Sequence, residues 1–110
     1  MTDLTKQLRK GVLEVLILKQ LATEQKYGYM LLQELRNKSN GYFDLKEGTL
    51  YPILYRLEDE KWVETHWVEA EGRGLPKKYY RITEAGRRQA VAAEALWHEF
   101  VEAVNKTLAH

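Results

Sequence analysis

The chain contains no cysteine and only two prolines, and its apolar runs, such as Val15 to Leu18, are far too short to span a bilayer. Without cysteine there is no disulfide framework, no thiolate metal site and no thiol nucleophile, and nothing demands an oxidising compartment. The opening Met1-Thr2-Asp3 lacks the basic-then-apolar run of a signal peptide, so a cytoplasmic protein with no membrane partner is expected. Side chains suited to catalysis are equally sparse. His66, His98 and His110 are scattered, and His98-Glu99-Phe100-Val101-Glu102 lacks the second histidine of a zinc metalloprotease helix. Gly72-Arg73-Gly74 is not followed by a helix pattern, so it is neither a phosphate loop nor a dinucleotide fingerprint. The contiguous acids 58 to 60 diverge around a helix instead of converging on a substrate. These gaps predict a protein that is not an enzyme and carries no cofactor or metal.

What is present is a chain of 110 residues, 45% hydrophobic and 30% charged, the composition of one ordinary globular domain. A chain this short buries only roughly 60 to 68% of its unfolded surface, so leftover apolar faces favour a homo-oligomer. The net charge of +1 conceals a division along the chain. Residues 56 to 71 are acidic, whereas Arg73, Lys77, Lys78 and Arg81 follow with no acid between Gly72 and Thr83. Such a concentrated basic segment suits contact with a polyanion, although charge alone favours the plainer reading of a solvated hairpin tip.

Hydrophobic periodicity orders the elements. Leu4, Leu8, Val12, Val15, Leu16 and Leu21 predict one amphipathic helix over residues 4 to 22, followed by a polar break at Thr23-Glu24-Gln25-Lys26. A second helix is expected from Tyr27 to Lys38, stopped by Asn40-Gly41. A third begins near Glu47 to Thr49 and ends near Lys61, placed so that Pro52 falls in its first turn, where the missing amide hydrogen costs nothing. Leu50, Ile53, Leu54 and Leu57 form its apolar stripe, while Gly48, Pro52, Tyr55, Arg56 and Asp59 face away, with Thr49 and Tyr51 at the margins. Residues 63 to 82 alternate around a Gly/Pro-rich loop and predict a β-hairpin, with Tyr80 beside Ile82 as the core candidate. Thr83 caps a final helix of about 36 Å. Its line of Ala93, Trp97, Val101, Val104 and Leu108, with Leu96 and Phe100 beside it, is too long for one small domain to cover. Its outer part is therefore assigned to a partner subunit.

Three helices, a two-stranded hairpin and a helix make a mainly α (α+β) winged helix-turn-helix with a C-terminal dimerisation helix, residues 1–83 and 84–110 forming one compact unit. In such a fold the third helix enters the major groove, and the contacts expected with operator DNA are Thr49, Tyr51, Pro52, Tyr55 and Arg56 on that helix, Lys77 and Lys78 to phosphates, and Arg73 at the loop tip toward the minor groove. Tyr51 and Tyr55 could instead pack under neighbouring loops. The competing function is a winged-helix module that binds another protein without specific DNA binding.

The residues also carry a family resemblance. Gly48-Thr49-Leu50-Tyr51-Pro52-Ile53-Leu54-Tyr55-Arg56-Leu57-Glu58, then Trp62-Val63-Glu64, then Lys77-Lys78-Tyr79-Tyr80-Arg81-Ile82-Thr83-Glu84-Ala85-Gly86 resemble the PadR family of transcriptional regulators, in the short subfamily with a single terminal helix. Glu60-Lys61-Trp62 departs from the pattern, which usually has a glycine closing the recognition helix. The resemblance implies a dimeric repressor whose terminal helices pack on the partner, an interface expected to include Leu8, Val12, Leu96, Trp97, Val104 and Leu108. It further implies release by a flat aromatic ligand held at Trp97, Phe100 and Val101, against the plainer reading of Trp97 as interface core.

Overall fold

The computed structural model describes residues 3–109. Its elements run α1 (Asp3–Arg9), α2 (Val12–Thr23), β1 (Lys26–Tyr27), α3 (Gly28–Lys38), α4 (Glu47–Asp59), β2 (Val63–Val68), β3 (Lys77–Ile82) and α5 (Glu84–Leu108). The helix expected over residues 4 to 22 is two helices. Gly11 takes a left-handed φ of 82° and turns the chain between α1 and α2, while the apolar spacing continues undisturbed across the break. The polar break at 23 to 26 leads into a short strand, β1, too brief for its alternation to register in the sequence.

The core lies where α2, α3 and α4 meet one face of the sheet. Ile17, Leu18 and Leu21 from α2, Leu31 from α3, and Leu50, Leu54 and Leu57 from α4 have essentially no exposure. Strand order is β1-β3-β2, all antiparallel, with Val63 opposite Ile82 and Val68 opposite Lys77 in the hairpin, and Lys26 opposite Tyr80 at the other edge. Tyr80 is the buried residue of the Tyr79-Tyr80 pair, as its place beside Ile82 predicts, and burial with the nearby Tyr51, Tyr55 and Glu58 pushes its phenol up to about 12. Trp67, on the same face as Val63 and Thr65, runs beyond the core and is exposed.

Both helices of the helix-turn-helix end in the same hydrogen-bonded motif. For α3, Gly41 N–H donates to Arg36 O at 2.8 Å and Asn40 N–H to Asn37 O, with Asn40 and Gly41 both at positive φ. For α4, Trp62 N–H donates to Leu57 O at 3.0 Å and Lys61 N–H to Glu58 O at 3.0 Å. Lys61 occupies the left-handed position at φ 65°, so the family's missing glycine leaves the last turn intact, at the cost of a strained lysine. Pro52 lies one turn deeper than expected, as the sixth residue of α4. The backbone bond it forgoes is the one to Gly48 O, and Gly48 and Pro52 both lie on the exposed side of the helix.

The last helix is docked at its start and bare at its end. Thr83 Oγ1 accepts from Gly86 N at 3.0 Å and donates to Lys61 O at 2.8 Å, and Thr83 N–H donates to Trp62 O at 2.9 Å, tying the first turn of α5 to the end of α4. Lys19 and Glu94, 3.1 Å apart, join α2 to α5 and hold the Glu94 carboxyl below the usual range. Only Gly86 and Ala90 of the 25 residues of α5 are buried. Among the described residues no helix is long and apolar enough to cross a membrane.

Candidate nucleic-acid interface

The exposed stripe of α4 is the one that the apolar periodicity leaves over: Gly48, Pro52, Tyr55, Arg56 and Asp59 face solvent, while Leu50, Leu54 and Leu57 are buried. Its two flanks differ. Thr49, half-buried, and Ile53 face the α1–α2 junction. Tyr51 faces the other way, with its hydroxyl over Gly28 at the start of α3, where an added Cβ would overlap it. Burial, Glu47 and Tyr55 raise its phenol, and its ring lies 6.2 Å from that of Tyr55. Of the two tyrosines, Tyr55 is the exposed one and Tyr51 fixes how closely α4 approaches α3.

Arg56 is exposed but held. Its Nε donates to Glu14 Oε2 at 3.2 Å, Nη2 lies 3.1 Å from Glu14 Oε1, Nη1 lies 3.6 Å from Glu60, and the guanidinium sits 5.9 Å from the Trp62 ring centroid. This two-point pair with a carboxylate on α2 sets the direction of the side chain along the helix. Nothing in the local sequence signals Glu14, which stands forty-two positions away.

The wing presents cations on aromatic supports. Lys77 Nζ lies 4.5 Å from the Tyr27 ring centroid and donates to the Tyr27 hydroxyl at 3.3 Å, and Lys78 Nζ lies 5.6 Å from the Tyr80 centroid. Tyr79 packs edge-on against Tyr27 at 5.3 Å and beside His66 at 6.1 Å, so the strand carrying the lysines is braced on its outer face. Arg81 is spoken for by Glu64 at 2.9 Å across the hairpin, which removes it from the basic cluster. Arg73 is exposed in the loop. Among the described residues no carboxylate lies within ion-pair distance of Arg73, Lys77 or Lys78.

The residues expected at a dimer and ligand site fall into two groups. Leu8, Val12 and Trp97 line one cavity of about 230 Å³ together with Thr5, Arg9, Tyr42 and Phe43. Phe100, whose ring lies 6.0 Å from that of Trp97, is exposed, as are Leu96, Val104 and Leu108, and Val101 is half-buried. Two supports have no signal in the local sequence: Tyr27 beneath Lys77, and Lys26, a lysine with 1% exposure that ties the end of α2 to β1.

Comparison with known proteins agrees with this geometry. Residues 17–92 match the family described as transcriptional regulator PadR-like. A transcriptional regulator of Mycobacterium tuberculosis is 33% identical over 82 residues, 74% of this chain and 72% of that one. The crystal structure of a PadR family transcriptional regulator from Eggerthella lenta is 36% identical with a TM-score of 0.82, covering 96% of this chain and 88% of that one. A PadR-like transcriptional regulator from Bacillus cereus is 36% identical with a TM-score of 0.78, covering 94% and 98%. With a winged helix-turn-helix, an open recognition stripe and these likenesses, the chain belongs to the PadR-like family of DNA-binding transcriptional regulators.

Proposed function

We propose that the protein is a homodimeric repressor that places α4 in the major groove of operator DNA and rests its wing on the flanking backbone. The observation that carries this reading is the juxtaposition of the uncovered stripe of α4 with wing lysines that have no carboxylate partner among the described residues. Pro52 and Gly48 make the start of the stripe low in relief, Tyr55 and Thr49 offer hydroxyls to phosphates, and Arg56, aimed by Glu14, reaches a base edge or a phosphate. Tyr51 contributes by setting the height of the helix, with Arg73 at the wing tip available to the minor groove.

The test is a salt titration of binding to the duplex upstream of its own gene. Changing Lys77 and Lys78 together to glutamine is expected to weaken binding to all duplexes alike and to flatten the salt dependence by roughly 0.9 for each phosphate left unneutralised. Unchanged affinity and slope would remove the wing from the interface. A wild-type protein that binds no duplex but captures a protein partner through the same surface would replace this reading with that of a protein-interaction module.

The dimer reading rests on the bare end of α5, where Leu96, Phe100 and Leu108 are each more than 60% exposed, and on Leu4 and Leu8 of α1, exposed to a similar degree. Contiguous apolar surface on this scale is what a subunit interface covers. Sedimentation at micromolar concentration should give twice the chain mass, and a monomer would overturn the claim. Two copies related by a two-fold axis would address half-sites about 10 bp apart or a multiple of that.

The effector reading rests on Trp97. The cavity of about 230 Å³ beside it is below the 300 to 1,000 Å³ common for small-molecule sites, so a second copy would have to complete it. A flat aromatic cation would then gain stacking and cation–π attraction, each on the order of 1 kcal/mol. It would release DNA only by preferring a dimer geometry whose half-site spacing misses the operator. Calorimetry with planar dyes should show Trp97→Ala losing most of the binding while dimerisation and DNA affinity persist. Equal dye binding by the variant, or its collapse to monomers, would reduce Trp97 to interface core.

A further inference from the structure

On α4, residues two apart in sequence point about 200° apart around the axis, so Thr49 and Tyr51 mark opposite flanks of the exposed stripe. The Tyr51 flank meets the sheet and wing: Tyr51 lies over Gly28, and Thr65 Oγ1 of β2 donates to Glu58 Oε2 at 3.3 Å. The Thr49 flank meets α1, and there the surface is concave and cationic. Two adjoining cavities, of about 320 and 790 Å³, share Thr49, Lys6 and Arg9, and add Lys10 on one side and Lys46 on the other.

Most other basic side chains of the helical body have carboxylate partners: Lys19 with Glu94, Lys26 and Lys38 with Glu34, and Arg56 with Glu14 and Glu60. Lys6, Arg9, Lys10 and Lys46 have none within ion-pair distance among the described residues. Two acids line the cavities. Glu14 is occupied by Arg56, which leaves Asp44 alone against four cations. On α1, Lys6 lies opposite Leu4 and Leu8 while Arg9 stands between the two faces, so an apolar contact by Leu4 and Leu8 leaves Lys6 open.

We propose that α1 and Lys46 form a second phosphate clamp, on the side of the recognition helix away from the wing, so that the sugar–phosphate backbone is held on both walls of the groove that α4 enters. The inference rests on the DNA-binding reading and deepens it. A backbone fits better than a small anion, because the cations are spread over two joined cavities instead of converging on one point, and because the cavities continue directly from the recognition stripe at Thr49. Arg9 also lines the Trp97 cavity and is left intact in the test.

The probe is a duplex recovered by the wild-type protein from a randomised pool, titrated with salt. The triple variant Lys6→Gln, Lys10→Gln, Lys46→Gln should lose on the order of a hundredfold in affinity at near-physiological salt, lower the salt slope by about 2.7, and keep its sequence preference. These three side chains are exposed, so its thermal unfolding should match the wild type. A measurement on the unmodified protein stands beside it: neutral methylphosphonates at the phosphates flanking the half-site away from the wing should weaken wild-type binding and leave the triple variant indifferent. Wild-type affinity and slope in the triple variant, with the Lys77/Lys78 variant impaired, would overturn the clamp and leave the DNA reading standing. Loss confined to certain sequences would also overturn it, because the groove would then be reading bases. If the wild-type protein recovers no duplex, both readings fall.

Discussion

Alanine at position 86 should destabilise the fold by about 2–3 kcal/mol, at a helical site where the same change in an open helix would stabilise by up to 1 kcal/mol. Gly86 is buried in the first turn of α5, and a Cβ there would collide with the Trp62 carbonyl oxygen and stand 2.8 Å from Ile82 Cγ1. The first obstacle is backbone, fixed by the hydrogen bond that Thr83 N–H makes to the same oxygen at 2.9 Å. It cannot rotate aside. Relief requires α5 to lift from the end of α4, breaking the contacts of Thr83 with Lys61 and Gly86. For a domain of this size the thermal midpoint should fall by roughly 10 °C or more. Gly48→Ala is the control, since nothing lies within 4 Å of a Cβ at that exposed position. Denaturant unfolding of the two variants separates the cases, and a Gly86→Ala protein as stable as wild type would show that α5 docks with slack.

That glycine is visible in the sequence only as part of a family motif, and its physical role is not. Periodicity delivers what repeats along one element: the buried stripe of α4, the alternation that buries Tyr80 and Ile82, the cap at Thr83. It fails where one residue changes the chain's direction without changing the apolar spacing. Gly11 divides the first helix, yet Leu8 and Val12 stand at helical spacing on either side of it. Pro52 misleads in a milder way. A proline marks a first turn most firmly where a forgone backbone bond is buried, and here Gly48 and Pro52 are both exposed, so losing that bond costs less.

Long-range pairing is out of the sequence's reach for another reason. Arg56 reads as a free arginine on an exposed face, and only the packing of α2 against α4 supplies Glu14. Likewise Arg81 counts toward a basic run until register sets it opposite Glu64. The candidate site is therefore legible as a face and a charge, and illegible as to which charges stay available. Net basicity overstates the wing by one arginine and overlooks the groove at α1, where Lys6, Arg9 and Lys10 are diluted in the sequence by Leu8 and Gln7.

Lys26 is the extreme case of a residue whose surroundings reverse its reading. Placed in a polar break it reads as solvated, whereas its side chain is 1% exposed. Nζ donates to Gln20 O at 2.7 Å, to Thr23 Oγ1 at 2.8 Å and to Glu24 O at 3.4 Å, closing the C-terminal end of α2, and it lies 3.4 Å from Glu34 Oε2 of α3. The ammonium thus joins α2 to α3, and the backbone of the same residue pairs with Tyr80 at the edge of the sheet. Methionine matches the length of the stem, so Lys26→Met removes the charge and its hydrogen bonds without opening a large cavity. Removing one partner of a buried pair commonly costs about 3–5 kcal/mol. Lys38, 3.1 Å from the same glutamate, moderates this, and a loss of about 2–4 kcal/mol is expected. Adding Glu34→Gln to Lys26→Met should then cost less than it does in the wild-type background, the coupling that a double-mutant cycle isolates. Hydrogen exchange supplies a second readout. Tyr27 follows Lys26 in β1 and supports Lys77, so protection should fall in β1 and β3 before it falls in α4. A Lys26→Met protein within about 0.5 kcal/mol of wild type, the error of such a comparison, would mean that the carbonyls at the end of α2 find water instead, and that the wing is braced by Tyr79 and Tyr27 without help from this lysine.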